Sequence, residues 1–293
     1  MTVIAGNLRL GAQGTRRAYL GSTLVFAAEQ TRWGTDFSEY SMGVAPSDWT
    51  SVATRSLETW EIASGGLISG NCMRIREITT STPRTAIFLW DVLPEAEDSE
   101  VLLLVSRGAS NNRNNLLGTG QRLTVTSVTN NSGLFLAARN NATDITRRRI
   151  DNGSLSDPDN MAHGGSYNAG DAFWMRCRWD GTKYHMKGWM VDASAPDLGL
   201  SNEPASWQLA GTFATITGAG KTGVVYFAHD STAAQSETFV HYFGVGINGD
   251  SAPLPVFMPD RTPVPDPGPV PFKTFDSTAT SFDSTAHTFD EVA

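Results

Sequence analysis

Short apolar runs recur at nearly even intervals through the middle of the chain, separated by polar, glycine-rich turns. No stretch has both the periodicity and the length of a helix, and the helix-favouring residue lysine occurs only four times. Regularly spaced strands with polar turns are typical of a sandwich, jelly roll or barrel. The sequence therefore predicts an all-β protein built around an antiparallel β-sandwich. The candidate strands are Leu57–Ile62, Ala86–Val92, Val101–Ser106, Arg122–Thr129, Gly133–Ala138, Phe173–Trp179, Tyr184–Val191, Gly223–Ala228 and Thr238–Gly244.

The segment 172–191 is predicted to form a β-hairpin that turns at Asp180-Gly181, a dipeptide that favours the positive φ angles of a type I′ turn. This turn pairs residues whose numbers sum to 361, such as Arg178 with Lys183. Strand alternation collects the apolar side chains on one face, which we assign to the core. That face carries Phe173, Met175, Cys177, Trp179, Tyr184, Met186 and Met190.

The opposite face of the hairpin carries two indoles and five basic side chains, Lys183 among them, with like charges across the sheet from one another. One interpretation is a binding face, since indole rings stack on sugars and cations donate hydrogen bonds to hydroxyl groups or pair with acidic sugars. The alternative is that the cations stack on the indoles or pair with neighbouring carboxylates and bind nothing. The candidate glycan-binding residues are Trp174, Arg176, Arg178, His185, Lys187 and Trp189.

The N-terminal segment, 1–32, contains strand-like runs at Val3–Leu10 and Ala18–Ala28, divided by a turn at Gly11–Gly14. A hairpin of this size is only marginally stable alone, so we expect it to dock onto a partner surface or to oligomerise. The candidate docking residues are Tyr19, Leu20 and Phe26.

The sandwich is predicted to span 33–255 and to be followed by a proline-rich, extended spacer at 256–272. The last segment, 273–293, has the sequence Phe-Asp-Ser-Thr-Ala at residues 275 and 282 and begins a third copy at residue 289. Such a tail cannot bury its aromatic rings alone, so it either docks and oligomerises or is disordered. The candidate docking residues of this tail are Phe275, Phe282 and Phe289.

The formal charge of −8 argues against a nucleic-acid partner, because neutralising phosphates requires a basic surface. We interpret the one basic cluster, Arg147–Arg149, as the exposed end of a strand that closes on Ile150. No apolar run approaches the roughly 20 residues that span a bilayer. The first residues lack the pattern of a secretory signal, so we expect synthesis in the cytoplasm.

The residue pattern contains no recognisable catalytic centre, cofactor site or metal site. The acidic run Glu95–Glu100 precedes a strand, which predicts a solvated loop rather than catalytic carboxylates that alternate along one strand. The five histidines lack metal-ligand spacing, and we expect Cys72 and Cys177 to be buried. Asp36 and Asp250 could hold a calcium ion only if loops brought further oxygens to them. The prediction is a non-enzymatic protein without cofactors.

Three stretches together resemble bacteriophage virion proteins. Arg17–Phe26 resembles a short segment that recurs in phage tail and virion proteins. Thr35–Trp49, with Trp174–Trp179 and Lys187–Trp189, is similar to concanavalin A-like (laminin G/glucanase-type) jelly-roll domains found on phage particles. The Phe-Asp-Ser-Thr repeats resemble terminal repeats of such proteins. Glucanase relatives carry a Glu-x-Asp-x-x-Glu strand motif that Glu95–Glu100 does not match, so their hydrolytic activity is not carried over.

The resemblance implies a virion surface component, such as a tail fibre, receptor-binding protein, head spike or decoration protein. It would be made in the host cytoplasm and assembled into the particle. Its partners would be other virion proteins, further copies of itself and a host-surface glycan. Two alternatives remain open: a purely structural protein that binds only virion neighbours, and a glucanase-like hydrolase that cleaves host polysaccharide.

Overall fold

The computed structural model describes most of the chain up to residue 257, and the chain divides into two compact units. One unit is formed by Met1–Gln30 with Val264–Ala293, and the other by Thr31–Pro263. The tail residues Phe275, Phe282 and Phe289 lie outside the described part. The described residues are 30–53, 58–77, 84–108, 116–127, 130–139, 144–152, 154–162, 167–168, 170–213, 216–228 and 237–257, with the backbone of short strands between residues 9 and 27.

The first unit contains two short antiparallel hairpins, β1 with β2 and β3 with β4. Their strands are β1 (Arg9–Leu10), β2 (Gln13–Gly14), β3 (Arg17–Leu20) and β4 (Thr23–Ala27). Leu20 pairs with Thr23, so the chain reverses direction within Ala18–Ala28. The prediction of one continuous strand over that range is wrong. Tyr19 and Leu20 lie on β3 and Phe26 lies on β4, and their docking role stays a prediction.

The second unit is a sandwich of two antiparallel sheets. Sheet I contains β5 (Arg32–Thr35), β7 (Glu58–Gly66), β8 (Gly70–Glu77), β10 (Asp98–Arg107), β15 (Ala172–Asp180), β16 (Lys183–Met190), β17 (Leu209–Thr212) and β19 (Glu237–Ile247). Sheet II contains β6 (Trp49–Ala53), β9 (Arg84–Trp90), β11 (Leu116–Ser127), β12 (Asn130–Arg139), β13 (Asp144–Asp151), β14 (Ser154–Ala162) and β18 (Lys221–Ala228).

The strand order is β17-β16-β15-β10-β19-β8-β7 in sheet I, with β5 also paired to β19. Sheet II has the order β14-β13-β12-β11-β18-β9-β6. The described residues include a single turn of 3-10 helix and no α-helix, so none of their helices is long and apolar enough to cross a membrane. The prediction of an all-β, antiparallel β-sandwich is confirmed.

Strand β10 shows how period-two alternation builds the core. Val101, Leu103 and Val105 point between the sheets into the main core cluster. Leu102 and Leu104 point the other way, into a smaller buried cluster on the outer face of sheet I. Because both faces of this strand are covered, its sequence is almost continuously apolar, as expected for a fully buried strand.

The hairpin β15–β16 keeps its predicted faces but not its predicted register. Arg178 pairs with His185 instead of Lys183, and Lys183 pairs with Asp180. The two loop residues are therefore Gly181 and Thr182, with the positive φ of 78° at Gly181. A shift of two residues exchanges partners without moving a side chain to the other face, so the apolar face packs in the core as predicted.

The basic cluster at Arg147–Arg149 lies inside β13, which pairs with β12 on one side and β14 on the other. The Arg147 side chain is only 12% exposed, and its guanidinium lies 5.2 Å from the Tyr184 ring centroid and 4.7 Å from that of Phe213. The interpretation as an exposed strand end is wrong, because β14 pairs with β13 and extends sheet II beyond it.

A segment that we call the strap, Val191–Gln208, crosses the outer face of sheet I. The indole nitrogen of Trp174 donates a hydrogen bond to the Leu198 carbonyl at 3.0 Å. The indole nitrogen of Trp189 donates to the Gly199 carbonyl at 2.9 Å. These bonds hold the strap against β15 and β16, and they decide which side chains of the predicted binding face remain accessible.

Candidate functional site

The two predicted glycan-binding tryptophans lie side by side beneath the strap. The Trp174 and Trp189 rings stack with centroids 6.2 Å apart and planes 16° apart. They are 0% and 6% exposed, and Leu198 and Leu200 of the strap pack against their cluster. In this structure both rings act as packing surface for the strap.

The basic residues of the same face contact carboxylates. Glu203 of the strap accepts hydrogen bonds from Arg176 Nε at 2.6 Å and Arg176 Nη2 at 2.9 Å, and its Oε1 lies 2.7 Å from Lys187 Nζ. Burial raises the pKa of Glu203, but the hydrogen bonds from Arg176 and Lys187 outweigh it and bring the pKa below its ordinary value. The carboxylate of Glu203 therefore offsets the positive charges of Arg176 and Lys187, which lie opposite one another across the sheet.

A second carboxylate, Glu100, lies at the centre of this network. Its side chain is 2% exposed and accepts hydrogen bonds from Arg176 Nη1 and Arg178 Nε, both at 2.7 Å. The Ala252 amide donates to it at 3.2 Å. The prediction of a solvated acidic loop over Glu95–Glu100 is therefore wrong for Glu100. The cost of burying this charge is offset by Arg176 and Arg178, which are distant from Glu100 in sequence.

Trp207, at the end of the strap, covers the exposed side of these cations. Its ring centroid lies 5.7 Å from the Arg178 guanidinium, 4.9 Å from Lys187 Nζ and 5.4 Å from the His185 ring. Trp207 is half-buried, unlike the two tryptophans below the strap. Trp207 is not among the candidates predicted from sequence, because it belongs to no strand pattern.

An open cavity of about 580 Å³ lies where the β15–β16 turn meets the start of β10. A smaller cavity of about 70 Å³ shares Asp98 and Asp180 with it and extends to Glu100 and Arg178. We call the combined space the acidic cleft. The larger cavity is lined by Glu95, Ala96, Glu97, Asp98, Asp180, Gly181, Ala219 and Asn248.

Asp98 and Asp180 lie side by side in the lining of the cleft because they form the first cross-strand pair of β10 and β15. Asp98 accepts a hydrogen bond from the Asn248 amide at 3.1 Å, and Asp180 Oδ2 lies 2.9 Å from His185 Nε2. Like charges directly opposite one another weaken a sheet. Lys183 lies opposite Asp180 on β16 and offsets part of this cost, and a ligand that donates hydrogen bonds to the two carboxylates would offset more of it.

The cleft wall is fixed by Arg122, which adopts a positive φ of 50° at an irregularity in β11. Its Nε donates to the Glu97 carbonyl at 2.7 Å, and its Nη1 donates to the Ile216 carbonyl at 3.1 Å. The guanidinium also lies 5.0 Å from the Trp179 ring centroid. The Arg122 side chain thus connects the loops at Glu97 and Ile216 to the sandwich, so the backbone that carries the cleft carboxylates is held in position before a ligand binds.

Neither a thiol nor a metal cluster stands out in the described part of the chain. Cys72 and Cys177 are free and buried as predicted, and burial raises both pKa values, that of Cys72 to about 11. Among the described residues, no group of three or more His, Cys, Asp or Glu could hold a metal ion. Asp36 accepts a hydrogen bond from the Ser38 amide at 3.0 Å, and Asp250 accepts one from the Thr31 hydroxyl.

The site combines carboxylates, which only accept hydrogen bonds, with Arg178, which in turn contacts the half-buried indole of Trp207. Carboxylates bind hydroxyl groups, amines and cations, and an indole offers a flat apolar surface to a partner. The predicted glycan-binding set is brought together on one face, as the alternation required. Arg178 alone of that set lines the cleft, and the glycan-binding role of the set stays a prediction.

No protein-family model matches the sequence, and no curated protein matches it. Solved structures do match the fold. A protein of unknown function from Shewanella oneidensis MR-1 is 13% identical with a TM-score of 0.47, covering 80% of this chain and 94% of its own. The carbohydrate-binding module CBM66 from Bacillus subtilis is 13% identical with a TM-score of 0.42, covering 67% and 94%.

A Bacteroides ovatus GH16 enzyme of a mixed-linkage glucan locus, solved with an oligosaccharide product, is 5% identical with a TM-score of 0.47, covering 73% of this chain and 99% of its own. The likeness to these structures concerns the jelly-roll sandwich fold alone. It corrects the prediction of a non-enzymatic protein, because several of the matched structures are glycoside hydrolases of similar fold. The fold therefore gives no ground for excluding an enzyme.

Proposed function

We propose that this protein binds carbohydrate in the acidic cleft. The observation that carries the proposal is the cross-strand pair of Asp98 and Asp180 in the lining of an open cavity of about 580 Å³. This volume lies within the range of about 300–1,000 Å³ that is usual for small-molecule sites. The cleft presents several hydrogen-bond acceptors at fixed positions, and a sugar ring carries several hydroxyl groups that can donate to them.

The charge of the cleft favours neutral sugars over anionic ligands. Glu95 and Glu97 are exposed on its wall, and Arg178 is the basic residue among those that line the two cavities. Phosphates and acidic sugars would meet like charges at short range, which costs free energy. The chain's formal charge of −8 acts in the same direction over longer distances.

A glycan array tests the proposal with the full-length protein and neutral and acidic bacterial surface polysaccharides as probes. We expect binding to a neutral class, lost in Asp98→Asn and in Asp180→Asn, because an amide replaces one acceptor oxygen by a donor. Asp151→Asn is the matched control, since Asp151 is exposed on sheet II and pairs with Arg149 at 3.2 Å. No binding to any probe, or equal binding by the cleft variants, contradicts the proposal.

Polysaccharide hydrolysis is the second candidate function, and one observation favours it. Asp98 and Glu100 alternate along β10, as expected of catalytic carboxylates on a sandwich, and Asp180 lies beside Asp98, so three carboxylates line one cleft. Glycoside hydrolysis requires one carboxyl group as acid and another as nucleophile or base. Because Glu100 is already bonded to Arg176 and Arg178, Asp98 and Asp180 are the better pair for these roles.

Release of reducing sugar from the polysaccharides bound on the array separates hydrolysis from binding. In a hydrolase, Asp98→Asn and Asp180→Asn each lower the rate by orders of magnitude, while Glu97→Gln has a small effect. Retained binding without any release of reducing ends excludes hydrolysis and leaves the binding function in place.

We also propose that the protein is displayed on the surface of a phage or phage-like particle, after synthesis in the host cytoplasm. The resemblance of Arg17–Phe26 and of the repeats in 273–293 to virion proteins supports this location. Other virion proteins and further copies of the chain would then be its partners, and a purely structural role is the alternative if no glycan binds. Mass spectrometry of purified particles, with imaging of a labelled copy, tests the location, and absence from the particles contradicts it.

A further inference from the structure

Trp207 is held in a fixed position on the strap. The neighbouring Gln208 amide donates to the Met186 carbonyl at 3.0 Å, and Gln208 Oε1 accepts from the Gly188 amide at 2.8 Å. Lys187 Nζ donates to the Pro204 carbonyl at 2.8 Å. These bonds attach the strap to β16 both before and after Trp207, so the position of its ring is fixed before any ligand binds.

The surroundings of Trp207 leave part of the indole accessible. Cations from β15 and β16 contact the ring, at 5.7 Å for Arg178 and 4.9 Å for Lys187. The nearby residues Ala205, Ser206 and Ala210 are small and exposed, so their side chains cover little of the ring. Trp174 and Trp189 differ in being enclosed beneath the strap.

Two side chains connect Trp207 with the acidic cleft. His185 contacts the Trp207 ring at a centroid distance of 5.4 Å and places its Nε2 2.9 Å from Asp180 Oδ2. Arg178 contacts the same ring and lines the smaller cavity of the cleft. The indole and the cleft are therefore neighbouring parts of one surface, separated by about one side chain.

From this arrangement we infer that Trp207 is a stacking platform for a second sugar unit beside the acidic cleft, so that the site takes an oligosaccharide or polysaccharide chain rather than a single sugar. This inference rests on the proposed binding function and assigns its ligand class. One sugar donates its hydroxyls to Asp98 and Asp180, and the next lays its apolar C–H face on the indole. The ring is already in place, so stacking costs little conformational entropy.

The test measures the affinity of the full-length protein for a series of linear oligosaccharides of the sugar found on the array, from the single sugar to the hexasaccharide. Wild-type affinity should increase with the second unit. Trp207→Ala should weaken binding of the longer ligands about tenfold, as loss of an aromatic contact does, and leave the single sugar unaffected. Asp180→Asn should weaken binding at every length.

Two variants separate stacking from packing. Trp207→Phe retains an aromatic face and should keep most of the affinity, whereas Trp207→Leu retains apolar bulk over the cations and should bind like Trp207→Ala. Thermal melts verify that each variant folds. If the wild type binds the series and Trp207→Leu binds every length equally well, the subsite is contradicted while the cleft stands. If the wild type binds no member, the proposed function fails and the subsite with it.

Discussion

Arg176 and Glu203 form a fork-to-fork ion pair, with Nε–Oε1 at 2.6 Å and Nη2–Oε2 at 2.9 Å. The pair joins the centre of β15 to the strap, and the two side chains are 10% and 21% exposed. Through it the strap is fixed above Trp174 and Trp189. The hairpin face that appears from sequence to be an open binding face is thereby enclosed.

We predict that Glu203→Gln lowers the free energy of unfolding by about 3 kcal/mol, because it leaves Arg176 and Lys187 without their shared carboxylate. Urea denaturation followed by tryptophan fluorescence measures the change. The control is Asp151→Asn, which breaks an exposed ion pair with Arg149 and should cost less than about 1 kcal/mol. Equal stabilities for the two variants would show that the strap does not depend on the pair.

The stability of the fold should decrease as the pH falls below neutral, through His241. Burial lowers the pKa of His241 to about 3 from its ordinary value of 6.5. Its Nδ1 accepts a hydrogen bond from the Leu67 amide at 3.2 Å, and its Nε2 lies 2.7 Å from Ser106 Oγ, which places the proton of the neutral ring on Nε2. The folded protein therefore keeps His241 neutral where the unfolded chain takes up a proton.

Because the folded-state pKa is depressed, the stabilising contribution is present above about pH 6.5 and is lost progressively as the pH falls towards 3. The loss approaches about 1.4 kcal/mol per pH unit below the unfolded-state pKa. Urea denaturation between about pH 7.5 and 5.5 avoids most carboxylate titration. His241→Gln should remove this slope, and an unchanged slope in the variant would contradict the assignment.

Trp174 should contribute to stability and not to ligand contact. Trp174→Ala removes a ring that is 0% exposed, and large-to-small substitutions of this kind cost about 3–5 kcal/mol. Trp207→Ala removes a half-buried ring and should cost less than about 1.5 kcal/mol. Chemical denaturation of both variants makes the comparison. A smaller loss for Trp174→Ala than for Trp207→Ala would reverse the roles that the structure gives them.

The two thiols should be unreactive in the folded protein. Cys72 and Cys177 are both 0% exposed, and burial raises the pKa of Cys72 to about 11, so little thiolate forms at neutral pH. A colorimetric thiol reagent should label neither residue under native conditions and both in urea. Rapid labelling of the folded protein would show that β8 or β15 opens more readily than its packing indicates.

The regular spacing of short apolar runs was enough to predict the fold class, and period-two alternation was enough to predict the faces of β15 and β16. Those features depend on neighbours in sequence, since a shift in register leaves each face unchanged. The predicted register was wrong, because it depended on whether Gly181 is the first or the second residue of the two-residue loop. Local rules did not distinguish the two possibilities.

The candidate site was mostly not predictable, because its residues are distant in sequence. Glu100 and Arg176 are 76 residues apart. Burial of the Glu100 carboxylate is explained only by its contacts with Arg176 and Arg178, which the fold creates. Asp98 and Asp180 meet through the pairing of β10 with β15, which no local pattern specifies. Trp207 lies in an irregular segment, where alternation has no predictive value.

Isothermal titration calorimetry of a neutral oligosaccharide into the full-length protein tests the central claim most directly. We predict a saturable heat for the wild type and for Asp151→Asn, and none for the double variant Asp98→Asn/Asp180→Asn, with all three melting cooperatively. Unchanged binding by the folded double variant would place the ligand elsewhere and contradict the assignment of the acidic cleft.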